Sequence, residues 1–199
     1  MMLKKNILIT GGDGSIGNPY VINQEGNDNY INKYVKMGND LYQVIEDNNN
    51  NLRLRLNDYL KVKNVDVELV FNTKGTQFEL LNRSNIGYYL NRTYYNSLTY
   101  EISLVGDGGY SYTNVYKDSV VAKVGMLNMV DFNDNTTLDT YYLINSTSNV
   151  GNLVYTYNKL GLIDEVKVSE KKKIVPVICL DKTFIKAGDG SINNPYVVE

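Results

Sequence analysis

The chain has 199 residues, 20 basic and 22 acidic side chains, a net charge of −2 and a hydrophobic fraction of 43 %. That length buries about 70 % of the unfolded surface without disulfide staples, and the balanced charge leaves no basic surface for nucleic acid or anionic membrane. Histidine is absent and Cys179 is the single cysteine, so the commonest metal ligand, the usual proton shuttle and any intrachain disulfide are excluded.

The opening "MMLKKNILIT" lacks the apolar stretch and small-residue cleavage site of a signal peptide. Residues 4–11 read as a strand. The phrase "GDGSIGNPYVI" follows from residue 12, with turn signals at Asp13-Gly14 and at Asn18-Pro19. Residues 23–30, "NQEGNDNY", are polar and read as a linker. The expected organisation is therefore a strand-turn-strand appendage with linker over 1–30 and one α+β domain over 31–199.

Within the domain, Tyr34–Met37 and Leu41–Glu46 are expected strands joined by a hairpin turn at Gly38-Asn39-Asp40. After a polar loop, Leu52, Leu54 and Leu56 alternate with Arg53 and Arg55. This period of two predicts a strand with one buried face and one charged, exposed face. "VDVELVFN" (65–72) is a further strand. Over 84–98, "SNIGYYLNRTYYNSL", Ile86, Tyr89, Leu90, Tyr94 and Leu98 fall on one helical face, and Ser84 is the expected N-cap.

The glycine-rich "GDGGYSYTN" (106–114) reads as a loop or hairpin, and "AKVGMLNMVDF" (122–132) as a strand ending in a short helix at Asn128. The last third is β: 140–145, 152–158, 161–168, 173–180, 183–187 and 195–199. Tyr141, Tyr142, Tyr155 and Tyr157 lie in two of these strands, where half of the side chains should face a core, which makes them structural residues first. The run Glu170 to Lys173 reads as a solvated turn, and Cys179 as a small buried hydrophobe. The fold class is α+β, mainly antiparallel sheet with one or two helices.

The opening phrase returns at the end as "GDGSINNPYVVE" from residue 188. At an offset of 176, nine of the ten positions from Gly12 to Val21 are identical, Gly17 against Asn193 being the exception. Each copy holds one carboxylate, Asp13 or Asp189, too few for the six to eight oxygens of a calcium site. Pro19 and Pro195 stand where a phosphate loop would start its helix. The better reading is a turn between two strands, built on Asp13, Asn18 and Pro19 and again on Asp189, Asn194 and Pro195. Only the second copy follows a whole domain, so the first reads as the tail of a preceding unit, and the chain as one unit of a tandem array.

Two other regions are candidate sites. "DFNDNTTLD" brings Asp131, Asp134 and Asp139 close in sequence, an oxygen-rich loop for a cation, with calcium the one cofactor it leaves open; otherwise it is a polar loop of side-chain turns. Asp107 with Tyr110, Tyr112 and Tyr116 is a candidate contact surface for a glycan or protein. A thiolate or serine nucleophile would lack its histidine base, so no catalytic residue is expected.

Five segments in order resemble an uncharacterised family of surface proteins of low-GC Gram-positive bacteria and their wall-less relatives. They are "YVKMGNDLYQVIE", "IGYYLNRTYYNSL", "AKVGMLNMVDF", "TYYLINSTSN" with "LVYTYNKLGLI", and the closing "IVPVICLDKTFIKAGDGSINNPYVVE". Tyr142 stands where that family has tryptophan, and Val175 where it has arginine. The closing pattern also resembles that of the C-type-lectin-like fold. The resemblance implies an extracellular or cell-surface display domain without catalysis, a pilin-like or filament unit or an adhesin. Its partners would be neighbouring copies or adjacent domains, or a surface protein or glycan.

Overall fold

A computed structural model describes residues 7–11, 21–24, 29–48, 50–98, 110–114, 117–129, 131, 138–146, 151–158 and 160–198. The first strands are β1 (Ile7–Gly11), β2 (Val21–Gln24), β3 (Tyr34–Met37), β4 (Asp40–Asp47) and β5 (Asn51–Leu56). Then come β6 (Lys61–Val62), β7 (Val65–Asp66) and β8 (Glu68–Val70), and a helix α1 over residues 86–97. The rest are β9 (Tyr110–Asn114), β10 (Lys117–Ala122), β11 (Val124–Met126), β12 (Tyr141–Ser146), β13 (Leu153–Tyr157), β14 (Ile163–Lys167), β15 (Lys171–Lys173), β16 (Pro176–Asp181), β17 (Ile185–Ala187) and β18 (Tyr196–Val198). The described residues are mainly β, with one short helix over 86–97 and a 3-10 turn at Lys182–Phe184, in keeping with the sequence patterns.

Seven strands form one sheet in the order β11-β16-β5-β4-β3-β18-β17, and five form a second in the order β14-β13-β12-β15-β8. Most pairings are antiparallel; β18 with β3 and β12 with β15 are parallel. The pairs β1-β2, β6-β7 and β9-β10 are separate two-stranded ribbons among the described residues. One hydrophobic cluster joins the sheets and the helix, and the Phe71 and Tyr142 rings meet edge-on at 5.5 Å. Leu52, Leu54, Leu180, Ile178, Val44 and Tyr42 share one face of the large sheet and are fully buried. Each such side chain contributes about 1.5–3 kcal/mol.

The opposite face of β5 departs from the alternation argument. Arg53 and Arg55 are only 4 % and 3 % exposed. The pattern of two is present, but both faces of this central strand are covered, so the arginines are interior side chains that require partners. A bulge in β4 supplies one. Val44 pairs with Leu54 and Glu46 pairs with Arg53, leaving Ile45 as the extra residue and turning Glu46 onto the arginine face.

The helix starts at Asn85, not Ser84. The Asn85 Oδ1 accepts from the Gly87 N–H at 2.8 Å and from the Glu79 N–H at 3.1 Å, while its Nδ2 donates to the Gln77 carbonyl at 2.7 Å. Its middle turn, Tyr89–Tyr94, is π-helical. Tyr94 and Tyr42 bridge helix and sheet through their hydroxyls at 2.8 Å. Within the widened turn, Asn91 Nδ2 donates to the carbonyls of Gly87 and Val124, and its Oδ1 accepts from the N–H groups of Lys123 and Val124. This side chain ties β11 to the helix. Asn91→Ala is expected to cost about 1–3 kcal/mol by orphaning those backbone groups, with the first loss of amide exchange protection at Lys123 and Val124.

Three further elements differ from the sequence expectations. Residues 65–72 break into β7 and β8, because the Val67 N–H turns away to the Leu60 carbonyl. At Asn128, where a short helix is expected, the described residues show a turn, with the Asp131 N–H donating to the Asn128 carbonyl at 3.1 Å. Lys171–Lys173 is a strand, not a solvated turn: it pairs with β8, and Lys172 and Lys173 neutralise Glu170 and Asp66.

Candidate functional site

The second copy of the repeated phrase is built into the edge of the large sheet. Strand β17 turns at residues 188–195 and returns as β18, which pairs in parallel with β3: Tyr196 with Val35, Val197 with Lys36. The turn is made by its own side chains. Asp189 Oδ1 accepts from the Ser191 N–H at 2.8 Å, Ser191 Oγ accepts from the Asn194 N–H at 3.1 Å, and the Asn194 carbonyl accepts from the N–H groups of Asp189 and Gly190. Gly188 and Gly190 have φ of +94° and +74°. A Cβ on Gly188 would lie 2.2 Å from the Pro195 carbonyl oxygen, and one on Gly190 2.5 Å from the Tyr196 ring. Only glycine fits both places.

The turn docks on the chain entering β3. The Tyr34 N–H donates to the Gly190 carbonyl at 2.9 Å, and Lys33 Nζ reaches the Asp189 carbonyl at 3.3 Å. The Tyr30 ring lies 5.3 Å from that of Tyr196, and the Tyr30 N–H donates to Asp47. Tyr30, the last residue of the expected linker, thus packs on the closing hairpin.

Asp189 is held below the usual carboxylate range by the Ser191 backbone N–H and then by the Ser191 and Asn194 side chains. A depressed carboxylate stabilises the fold above its unfolded value of about 3.9 and loses that contribution as pH falls through its folded value. The Ser191 amide resonance is therefore expected to titrate with a midpoint below about pH 3.9, and Asp189→Asn to abolish that titration.

The strands on either side of the first copy pair in the same register. Ile9 pairs with Ile22 and Gly11 with Val21, with an irregularity between Ile9 and Gly11. At the offset of 176 these become Ile185 with Val198 and Ala187 with Val197, with the irregularity between Ile185 and Ala187. The register and the bulge are the same. Asp13, Asn18 and Pro19 lie outside the described residues.

The acidic loop is brought into a different relation. Asp131 receives two hydrogen bonds from the Arg53 guanidinium, Nη1 to Oδ1 at 2.8 Å and Nη2 to Oδ2 at 2.5 Å, and a third from the Asn128 N–H at 2.7 Å. Arg53 also donates to Glu46 at 3.0 Å. Its neighbour Arg55 donates to Gln43 at 2.6 Å and to the Leu56 carbonyl at 3.2 Å. Asp139 is exposed, its N–H donating to the Tyr59 hydroxyl, and Asp134 lies outside the described residues. No three Asp, Glu or Cys side chains among the described residues are grouped to hold a metal ion. Tyr110 and Tyr112 stand on β9, opposite β10; Asp107 and Tyr116 lie outside the described residues.

Cys179 faces Arg53 across the β5-β16 pair. Burial pushes its thiol up to about 12, with the Glu46 carboxylate acting in the same direction, so it stays protonated at neutral pH. No helix among the described residues is long and apolar enough to cross a membrane. No family model, curated protein or solved structure matches the chain. Sequence reasoning singled out the repeated turn but missed its receptor, Tyr30 and Lys33 to Lys36. It also missed the partners of the buried arginines, because those lie far away in sequence.

Proposed function

We propose that this chain is a non-catalytic structural module of a bacterial cell-surface or extracellular protein, one unit of a tandem array whose units each end in the β17-β18 type of hairpin. The observation that carries the reading is the identity of register and bulge between the two hairpins at an offset of 176. One copy closes the large sheet of the domain that precedes it. The strands on either side of the other pair in the same register, ahead of the domain. A repeated closing element is what a chain of stacked units requires, each unit completing its own sheet edge before the next begins.

The resemblance of five ordered segments to Gram-positive surface proteins supports the location, and that of the closing pattern supports a C-type-lectin-like topology. The chemistry supports the absence of catalysis: no histidine is present, and the one thiol is held protonated. Antibody against the domain should label intact source cells without permeabilisation; labelling only after lysis rejects the surface assignment. A chain beginning at residue 29 should melt within about 1 °C of the whole protein, because a ΔΔG well under 1 kcal/mol shifts the midpoint little. A large drop would make the first hairpin part of this domain and not of its neighbour.

A further inference from the structure

We propose that the outer edge of β2 is a docking site for strand β3 of a second copy of this module. The site accepts β3 in parallel by strand exchange, with the first hairpin of one chain taking the place of the second hairpin of another. This rests on the array reading above and names its contact.

The second hairpin supplies the template. Its strand β18 has β17 on one side and β3 on the other. The first hairpin repeats the β17-β18 pairing residue for residue in β1 and β2, yet among the described residues that ribbon has only two strands. Among the described residues no strand lies on the side of β2 that corresponds to the side on which β18 holds β3. Val21 corresponds to Val197, whose partner across that edge is Lys36. An open strand edge is a template for pairing, and the sequence from Gly12 to Val21 is nine-tenths identical to the copy that already makes this pairing.

The receptor is β3 of another copy for a reason of chain length. A parallel connection needs a crossover of about a dozen or more residues. Only residues 25–33 separate β2 from β3 in the same chain, so the hairpin cannot easily fold back onto its own β3. In a second copy that limit vanishes, and the competitor is that copy's own β18. Exchange between copies is therefore controlled by how firmly the second hairpin holds. Gly190 is the place to weaken it, since any Cβ there meets the Tyr196 ring and Lys33.

The experiment uses the full chain in two tagged forms, one carrying Val21→Cys and the other Lys36→Cys. The two are mixed and treated with a short bis-maleimide, which alkylates one thiol at each end, and Cys179, buried in both, is read by the parent chain as control. A mixed dimer is expected. Gly190→Ala in the Lys36→Cys chain should raise its yield about tenfold, the factor equivalent to ~1.4 kcal/mol. An excess of synthetic peptide 185–199 should suppress it in the chain with Gly190 intact, which keeps the test valid if the variant folds poorly. Yield no higher than the parent control, or indifference to the peptide, overturns strand exchange. Failure here with surface labelling intact leaves the module a surface unit joined in some other way. Crosslinking without surface labelling removes only the location.

Discussion

Asp131→Ala is expected to lower the unfolding free energy by about 3–5 kcal/mol, because it leaves a buried guanidinium without its two-pronged partner. The side chains of Arg53 and Asp131 are 5 % and 9 % exposed, and the contact closes β5 onto the segment following β11. Glu46 remains beside Arg53, within 3.0 Å of its Nη1, but is 36 % exposed, so the loss should fall toward the lower end of that range. The planar fork of arginine matches a carboxylate as lysine cannot, and Arg53→Lys should not preserve the stability. The double variant Arg53→Met/Asp131→Ala should be more stable than Asp131→Ala alone, since the guanidinium that lost its partner is then gone as well. Urea denaturation of the parent, Arg53→Met, Asp131→Ala and the double variant measures the coupling. If the two single losses simply add, the pair is not a unit and the account is wrong.

Gly188→Ala is expected to release the closing hairpin from β3. A left-handed backbone costs an L-residue about 1–2 kcal/mol, and at this position the added carbon also overlaps the Pro195 carbonyl oxygen. The turn must open, and with it the contacts of Gly190 with Tyr34 and of Tyr196 with Tyr30. Hydrogen exchange should show protection lost along β17, β18 and the β18-facing amides of β3, with the five-stranded sheet unchanged. Retained protection at Tyr196 to Val198 would show that the turn tolerates a side chain and that the glycine has another purpose. Loss confined to this edge would make the hairpin the least stable cooperative unit of the domain, as strand exchange demands.

Local chemistry was legible in the sequence. Gly38 and Asn39 mark the β3-β4 turn because glycine takes a positive φ at no cost, and the structure has Gly38 at +59°. The helix was visible from Ile86, Leu90 and Tyr94 on one face, all of them buried. The cap was misplaced by one residue because Ser84 and Asn85 are both good caps; the choice fell to Asn85, whose side chain also holds residues 77 and 79. The repeated turn was visible as a repeat and as a set of turn-forming residues.

Residue order alone thus encodes the elements that depend on neighbours in the chain: the turns, the helix, most strands and the doubled closing phrase. Contacts across space are set only when the chain is folded. Alternating Leu and Arg in β5 is the same pattern whether the second face meets water or an acid. The acid that decides it, Asp131, lies 78 residues away. The bulge that brings Glu46 to the same arginine leaves no mark in composition. Parallel pairing of β18 with β3 joins the two ends of the domain, and no local propensity encodes a contact of that range. Its register followed only once the sheet was closed, because burial of one strand's face is settled by which strand lies beside it.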